Sequence, residues 1–161
     1  MREFSYLIVT LLLVAVFTSA SNNYSKDSRI GTTAPNFTIG NNEDVVTLNQ
    51  FRGKYILLNI WSSADAMARL QNMRLNKFVQ GNDKVEQLAV NFDRSRALFN
   101  EVITSDSLYT TGQYYCEPQD RAAFMKKWGV DDKHFCTFLI NTKGVVVAIN
   151  PNEDELKKAL K

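Results

Sequence analysis

The sequence is short of the residues from which most recognisable sites are built. It contains a single histidine, His134, and two cysteines, Cys116 and Cys136. Those three, with an acidic neighbour, are metal-ligand types, but no C-x-x-C or H-x-x-H spacing joins them, so the sequence predicts no metal and no cofactor. Three prolines and seven glycines leave no low-complexity linker, and no fixed-period repeat is present. The 19 Lys and Arg nearly balance 17 Asp and Glu, for a net charge of +2 with no basic block. That removes the electrostatic footprint of a nucleic-acid partner. With 45% hydrophobic and 22% charged residues, the chain is neither disordered nor collagen-like.

No apolar run reaches the 18 or more residues that span a bilayer. The longest, Tyr6 to Phe17, is broken only by Thr10 and is followed by Thr18-Ser19-Ala20 and a polar stretch. This reads as a signal peptide over residues 1–20, removed after Ala20, which predicts export to the periplasm or cell surface. An uncleaved anchor is the alternative, and the only route by which the chain would contact a membrane. Residues 21–29 form a polar linker, and the remainder is long enough for one core.

Along that remainder, Ala34 to Ile39 and Val45 to Leu48, separated by Gly40-Asn41-Asn42, read as an N-terminal hairpin. Tyr55 to Trp61 is a nearly continuous apolar run of strand length, the pattern of a strand buried on both faces. Residues 66–80 read as a helix whose inward face is Met67, Leu70, Met73 and Phe78. A second strand follows at Val85 to Phe92, so 55–92 is a right-handed β-α-β unit with parallel strands. Helices are predicted over 94–105, with Leu98, Phe99, Val102 and Ile103, and over 119–128, with Phe124 and Trp128. Cys136 to Ile140 and Val145 to Ala148 form a hairpin around Gly144. A last helix has Asn150 as N-cap, Pro151 at its first position and Leu156, Ala159 and Leu160 inward.

The local phrases resemble the thioredoxin-like superfamily, in particular exported bacterial thiol-disulfide oxidoreductases and their peroxide-reductase relatives, over Ile30 to Lys161. They are Ile30-Gly31-x-x-Ala34-Pro35-x-Phe37, Leu48-x-x-Phe51-Arg52-Gly53-Lys54, Leu57-Leu58-Asn59-Ile60-Trp61-Ser62-Ser63, Trp128-Gly129-Val130 and Thr137-Phe138-Leu139-Ile140-Asn141-x-x-Gly144. The resemblance implies a three-layer α/β/α sandwich with a mixed central sheet, entered through the N-terminal hairpin. It also implies a Cys-x-x-Cys where the helix after the tryptophan strand begins, since the helix dipole and free amides there make a thiolate.

Those positions are Asp65 and Ala68, and the stretch Asp65-Ala66-Met67-Ala68 carries no nucleophilic sulfur. Phe135 stands where the family has a cis-proline, which predicts a trans peptide and a loop plugged by an aromatic ring. Asp65 is expected to cap the helix, or else to join His134 and Cys136 in a catalytic cluster. Trp61 and His134, with Met67 and Phe135, are candidates for lining a pocket at the old redox site. By the resemblance Cys116 and Cys136 lie in loops near that site, and an exported chain with an even count suits a disulfide; two inert buried thiols or a relocated redox pair are the alternatives. The functional expectation is a binding or accessory module that has lost exchange chemistry, leans away from being an enzyme, and holds a peptide, a partner protein or a small apolar ligand in the groove near Asp65 and Phe135. An oxidoreductase using Cys116 and Cys136 is the rival.

Overall fold

A computed structural model describes residues 27–40 and 45–161. In chain order it comprises β1 (Thr38–Ile39), β2 (Val46–Thr47), a 3-10 turn (Leu48–Phe51), β3 (Tyr55–Trp61), α1 (Ala66–Gln80) and β4 (Val85–Asn91). Then follow α2 (Arg96–Ser105), β5 (Gln113–Tyr115), α3 (Pro118–Trp128), β6 (Thr137–Ile140), β7 (Val146–Ile149) and α4 (Glu153–Ala159). The signal segment and most of the linker lie outside the described residues, as does the tip of the first hairpin.

The five-stranded sheet has the order β5-β4-β3-β6-β7, and β1 pairs with β2 apart from it. The apolar run of β3 runs parallel to β4 from Tyr55 opposite Val85 to Trp61 opposite Asn91, and antiparallel to β6 on its other side. Successive side chains of a strand point to opposite faces, so both faces of β3 are covered. On one, Ile56, Leu58, Ile60 and Phe138 meet Phe124 and Trp128 of α3 together with Phe37, Ile39 and Leu48 from the N-terminal segment. On the other, Leu57 and Leu139 meet Leu75 of α1 and Leu156 and Leu160 of the C-terminal helix, while Trp61 and Ala89 meet Phe99, Val102 and Ile103 of α2. This is the three-layer α/β/α sandwich with a mixed sheet.

Strand β5 is not anticipated by the sequence reading. It is only three residues long, parallel to β4, and its approach depends on Gly112. That residue has φ 85°, and a Cβ there would stand 2.3 Å from the Gln87 carbonyl oxygen, so only glycine fits. The last helix also begins later than its sequence suggests. Asn152 is the cap, its side chain accepting from the Glu155 amide while Glu155 reaches back to the Asn152 amide. Asn150 instead takes φ 49° and accepts the Thr137 amide at 2.8 Å, closing the sheet end where β6 begins.

Helix α1 corrects a second expectation. Its buried residues are Asn72, Leu75 and Asn76, whereas Met67, Leu70 and Met73 are 70%, 38% and 37% exposed. Of the predicted inward face only Phe78 packs on the core. Beside Leu75 and Phe78, a sheaf of buried amides joins α1 to the sheet. Asn72 Oδ1 accepts from Asn59 Nδ2 at 3.2 Å, Gln87 Nε2 at 2.9 Å and Gln113 Nε2 at 3.3 Å, and Asn72 Nδ2 donates to Gln113 Oε1 at 3.1 Å. Asn76 Nδ2 reaches Gln87 Oε1 at 3.2 Å, and its amide grips the Tyr109 backbone at both its oxygen and its nitrogen. Thr137 Oγ1 completes the chain by donating to Asn59 Oδ1 at 2.9 Å. A buried polar network of this kind is tolerated only because its members satisfy one another.

Candidate functional site

The C-terminal ends of β3 and β4 and the loop entering β6 converge at one edge of the sheet, the place where open α/β folds present their ligands. Asp65 ends the β3–α1 loop in an extended conformation, and its Oδ1 accepts the Met67 amide at 2.9 Å and the Ala68 amide at 3.0 Å. These are two of the four amides that a helix start leaves unpaired. The positive end of the helix dipole, which elsewhere lowers a thiol's pKa, here faces a carboxylate already in place. Ala66 and Met67 are exposed and Ala68 is half-buried against the Trp61 cluster.

Behind this loop sits a residue that the sequence reading missed. Asp93, 2% exposed, accepts at Oδ1 from Ser62 Oγ at 2.8 Å, Ser63 N at 2.7 Å and Ser63 Oγ at 2.9 Å, and at Oδ2 from Asn91 Nδ2 at 3.0 Å. Arg121 donates to the Asp93 carbonyl oxygen and, at 3.2 Å, to that of Cys116. A buried carboxylate with this many donors fixes the path of the Ser62–Asp65 loop. The only sequence signal was the doublet Ser62-Ser63 lying one strand away from an Asp just past an apolar run.

On the opposite bank the peptide before Phe135 is trans, since no cis bond occurs among the described residues. The Phe135 ring lies 6.2 Å from that of Phe92 and forms part of a wall rather than a plug. Between the banks runs a groove of about 500 Å3, with Asp65, Met67 and Arg74 on one side, Phe135 and Glu153 on the other, and the buried Asn59 and Thr137 in its floor.

Two of the expected pocket residues are elsewhere. Trp61 is fully buried, its ring 6.5 Å from Phe99, because at the end of β3 it is enclosed by Ala68, Ala89 and the α2 side chains Val102 and Ile103. His134 is 79% exposed in its side chain and its Nδ1 lies 2.9 Å from Asp131 Oδ1. The Asp65–His134–Cys136 cluster therefore does not assemble: the Asp65 carboxylate serves the helix, and the imidazole serves Asp131. Asp131 itself is held below the usual carboxylate range, first by the Lys133 amide and then by its bonds from His134.

Both cysteines are free thiols in the structure. Cys116, 1% exposed, belongs to the core under α3, and burial pushes its thiol up to about 12, so it is almost wholly protonated near neutrality and a poor nucleophile. Cys136 is half-buried beside the groove, with Sγ 3.6 Å from the His134 carbonyl oxygen. Among the described residues no group of three or more His, Cys, Asp or Glu is arranged to hold a metal ion. No helix among them is long and apolar enough to cross a membrane.

The family model described as Redoxin matches residues 29–160. The chain belongs to the Redoxin family. Among solved structures, the thioredoxin domain of a thiol-disulfide oxidoreductase from Bacteroides vulgatus is 21% identical, with a TM-score of 0.70 over 82% of this chain and 98% of that one. A thioredoxin-like protein from Parabacteroides distasonis is 30% identical over 68% of this chain and 84% of its own, with a TM-score of 0.63. A thiol:disulfide interchange protein from a Bacteroides species is 22% identical over 81% and 86%, with a TM-score of 0.69. No curated protein matches the chain. This Redoxin thus has the fold of thiol-disulfide oxidoreductases and, at the helix start where the resemblance expects their cysteines, an aspartate and an alanine.

Proposed function

We propose that this Redoxin is an exported binding module that no longer exchanges disulfides, and that the groove between Asp65 and Phe135 takes an extended segment of a peptide or partner protein. The observation that carries the reading is the Asp65 carboxylate bonded to the Met67 and Ala68 amides, occupying the donors that would stabilise a thiolate. Disulfide exchange needs a thiolate that attacks and a second thiol that resolves the mixed disulfide. Ala68 supplies no resolving sulfur, and Cys116, the remaining partner for Cys136, is buried with its proton held. The groove offers both apolar wall and charge, Met67 and Phe135 beside Arg74 and Glu153, a mixture that suits the varied side chains of a peptide segment. Export is carried by the Tyr6 to Phe17 run and the small residues after it.

The test is insulin-disulfide reduction by the mature protein, its Cys136→Ser variant, and an Asp65→Cys/Ala68→Cys variant as the gain-of-function control. Wild type and Cys136→Ser are expected to be equally inactive, with turnover appearing only when the two cysteines are installed. Wild-type reduction that Cys136→Ser abolishes would overturn the loss of redox chemistry in favour of the relocated pair. Binding is read separately, by amide NMR shifts at residues 65–68 and 135–137 during titration with an unfolded apolar peptide. An unmoved groove under that titration refutes the binding role.

A further inference from the structure

Helix α1 has its polarity turned inside out. An amphipathic surface helix directs its apolar stripe at the core and its polar residues at water, yet here two asparagines are buried and three large apolar side chains are exposed. Met67, Leu70 and Met73 follow one another at three-residue steps, and side chains so spaced share one side of a helix; with Met67 70% exposed they form a ridge on the solvent side. Their exposed parts contribute nothing to the core, whose contacts with α1 run through Leu75, Phe78 and the buried amides.

The charge on this ridge has one sign. Residues 66–80 contain Arg69, Arg74 and Lys77 and no acidic residue. Arg69 is committed: its Nε donates to Asp106 Oδ2 at 2.7 Å and its Nη2 to Asp106 Oδ1 at 2.5 Å, and this carboxylate holds the guanidinium more firmly charged. Arg74 and Lys77 are exposed and form no ion pair among the described residues. The ridge is also rigid, fixed by the Asp65 cap, by the Arg69–Asp106 pair and by the amides beneath it, so little ordering cost attends docking. The methionines at its two ends adapt to a partner's shape.

We propose that the outer face of α1 is a docking surface for an acidic amphipathic segment of a partner protein, whose apolar side chains lie along Met67, Leu70 and Met73 while its carboxylates meet Arg74 and Lys77. A second copy using the same face would bring two surfaces of the same positive sign together, since an isologous interface uses one patch twice, and like charges oppose it. Two unpaired cations are few for an anionic bilayer, where each Lys or Arg contributes modestly. The surface shares Met67 and Arg74 with the groove but extends beyond it, because Leu70, Met73 and Lys77 do not line the groove.

The experiment uses the mature protein and a fluorescein-labelled synthetic amphipathic helix with glutamates flanking its leucine stripe, alongside the same peptide with lysines in their place. Anisotropy is expected to show saturable binding of the glutamate peptide and none of the lysine peptide. Leu70→Ser/Met73→Ser, at positions already exposed, should fold normally by circular dichroism and weaken binding by about tenfold or more. Lys77→Glu should weaken it by about threefold to tenfold, most at low salt. Four results overturn the proposal: no binding of the glutamate peptide, equal affinity in the Leu70→Ser/Met73→Ser variant, concentration-dependent dimerisation that this variant abolishes while the peptide stays unbound, or flotation with phosphatidylglycerol vesicles without peptide binding. Groove variants do not enter the readout, so its failure leaves the groove reading standing.

Discussion

The amide network under α1 yields a prediction whose sign differs from that of an ordinary core. Asn72 is fully buried and is the acceptor at which the Asn59, Gln87 and Gln113 amides meet. Removing its side chain strands three groups: the Asn59 N–H, the Gln87 N–H and the Gln113 carbonyl oxygen it had bonded at 3.1 Å. The Gln113 N–H keeps a contact at 3.5 Å with Gln87 Oε1. A buried polar group left unpaired costs about 1–3 kcal/mol. In Asn72→Ala the vacated space admits a water, which pairs with two or three such groups, so the expected loss is about 2–4 kcal/mol. In Asn72→Leu the side chain keeps its branching and fills the space, water is shut out, and the loss rises to about 4–6 kcal/mol. Either is a large part of the stability of a domain, about 5–15 kcal/mol. Urea unfolding followed by circular dichroism and tryptophan fluorescence measures both variants. In an apolar core the order is the reverse, since truncation leaves a cavity and the larger side chain does not. An Asn72→Leu variant closer in stability to wild type than Asn72→Ala would refute the network as an element that holds α1.

Gly112→Ala is expected to cost at least about 2 kcal/mol, because the added Cβ would meet the Gln87 carbonyl oxygen at 2.3 Å with the backbone held at φ 85°, a conformation that strains any side chain; the same urea series checks it, and a loss below about 0.5 kcal/mol would show that β5 shifts freely. The Asp27 carboxylate is drawn from 3.8 down to about 2, first by its side-chain hydrogen bond from Arg29. The folded state thus favours the ionised form. Its contribution is complete above about pH 4 and is lost as pH falls toward 2. Asp27→Asn should flatten that part of the acid stability profile while leaving neutral pH little changed apart from the pair itself, and an unaltered acid limb would show that the Arg29 contact does not form in solution.

Much of the fold is legible in the sequence because its signals are local. The apolar run at Tyr55 to Trp61, the uninterrupted stretch 66–80 and the run from Val85 lead to strands and a helix with nearly the bounds found. Gly144 marks the second hairpin. What failed depends on partners distant along the chain. The inward face of α1 was taken from hydrophobicity, but Asn72 and Asn76, four residues apart on one side, meet Asn59, Gln87 and Gln113 from three different strands. An asparagine inside the apolar run of β3 was a visible hint of that match. Asp65 as a helix cap was legible because capping is a local rule. Asp93 was not, since its donors come from the loop after β3. Trp61 stands next to Ser62 in sequence, but the α2 residues Phe99, Val102 and Ile103 that enclose its ring lie about forty positions away and leave no local signal.

The N-terminal segment has a bearing on how the chain comes to be folded at all. Gly31 N donates to Val146 O, Val146 N to Thr32 O, and Ala34 N to Gly144 O, so the earliest described residues lie along the last strand of the sheet. Phe37 and Ile39 then enter the core against Phe124 and Trp128. During synthesis these apolar residues emerge long before Phe124 and Trp128, and the backbone bonds that fix their segment wait until the final hairpin has followed. Pairings of such long sequence separation form slowly. Closing of the β7 edge is thereby made a late event, and a chain truncated before Gly144 would lose the backbone bonds that fix residues 31–34 and leave Phe37 and Ile39 less firmly held against α3.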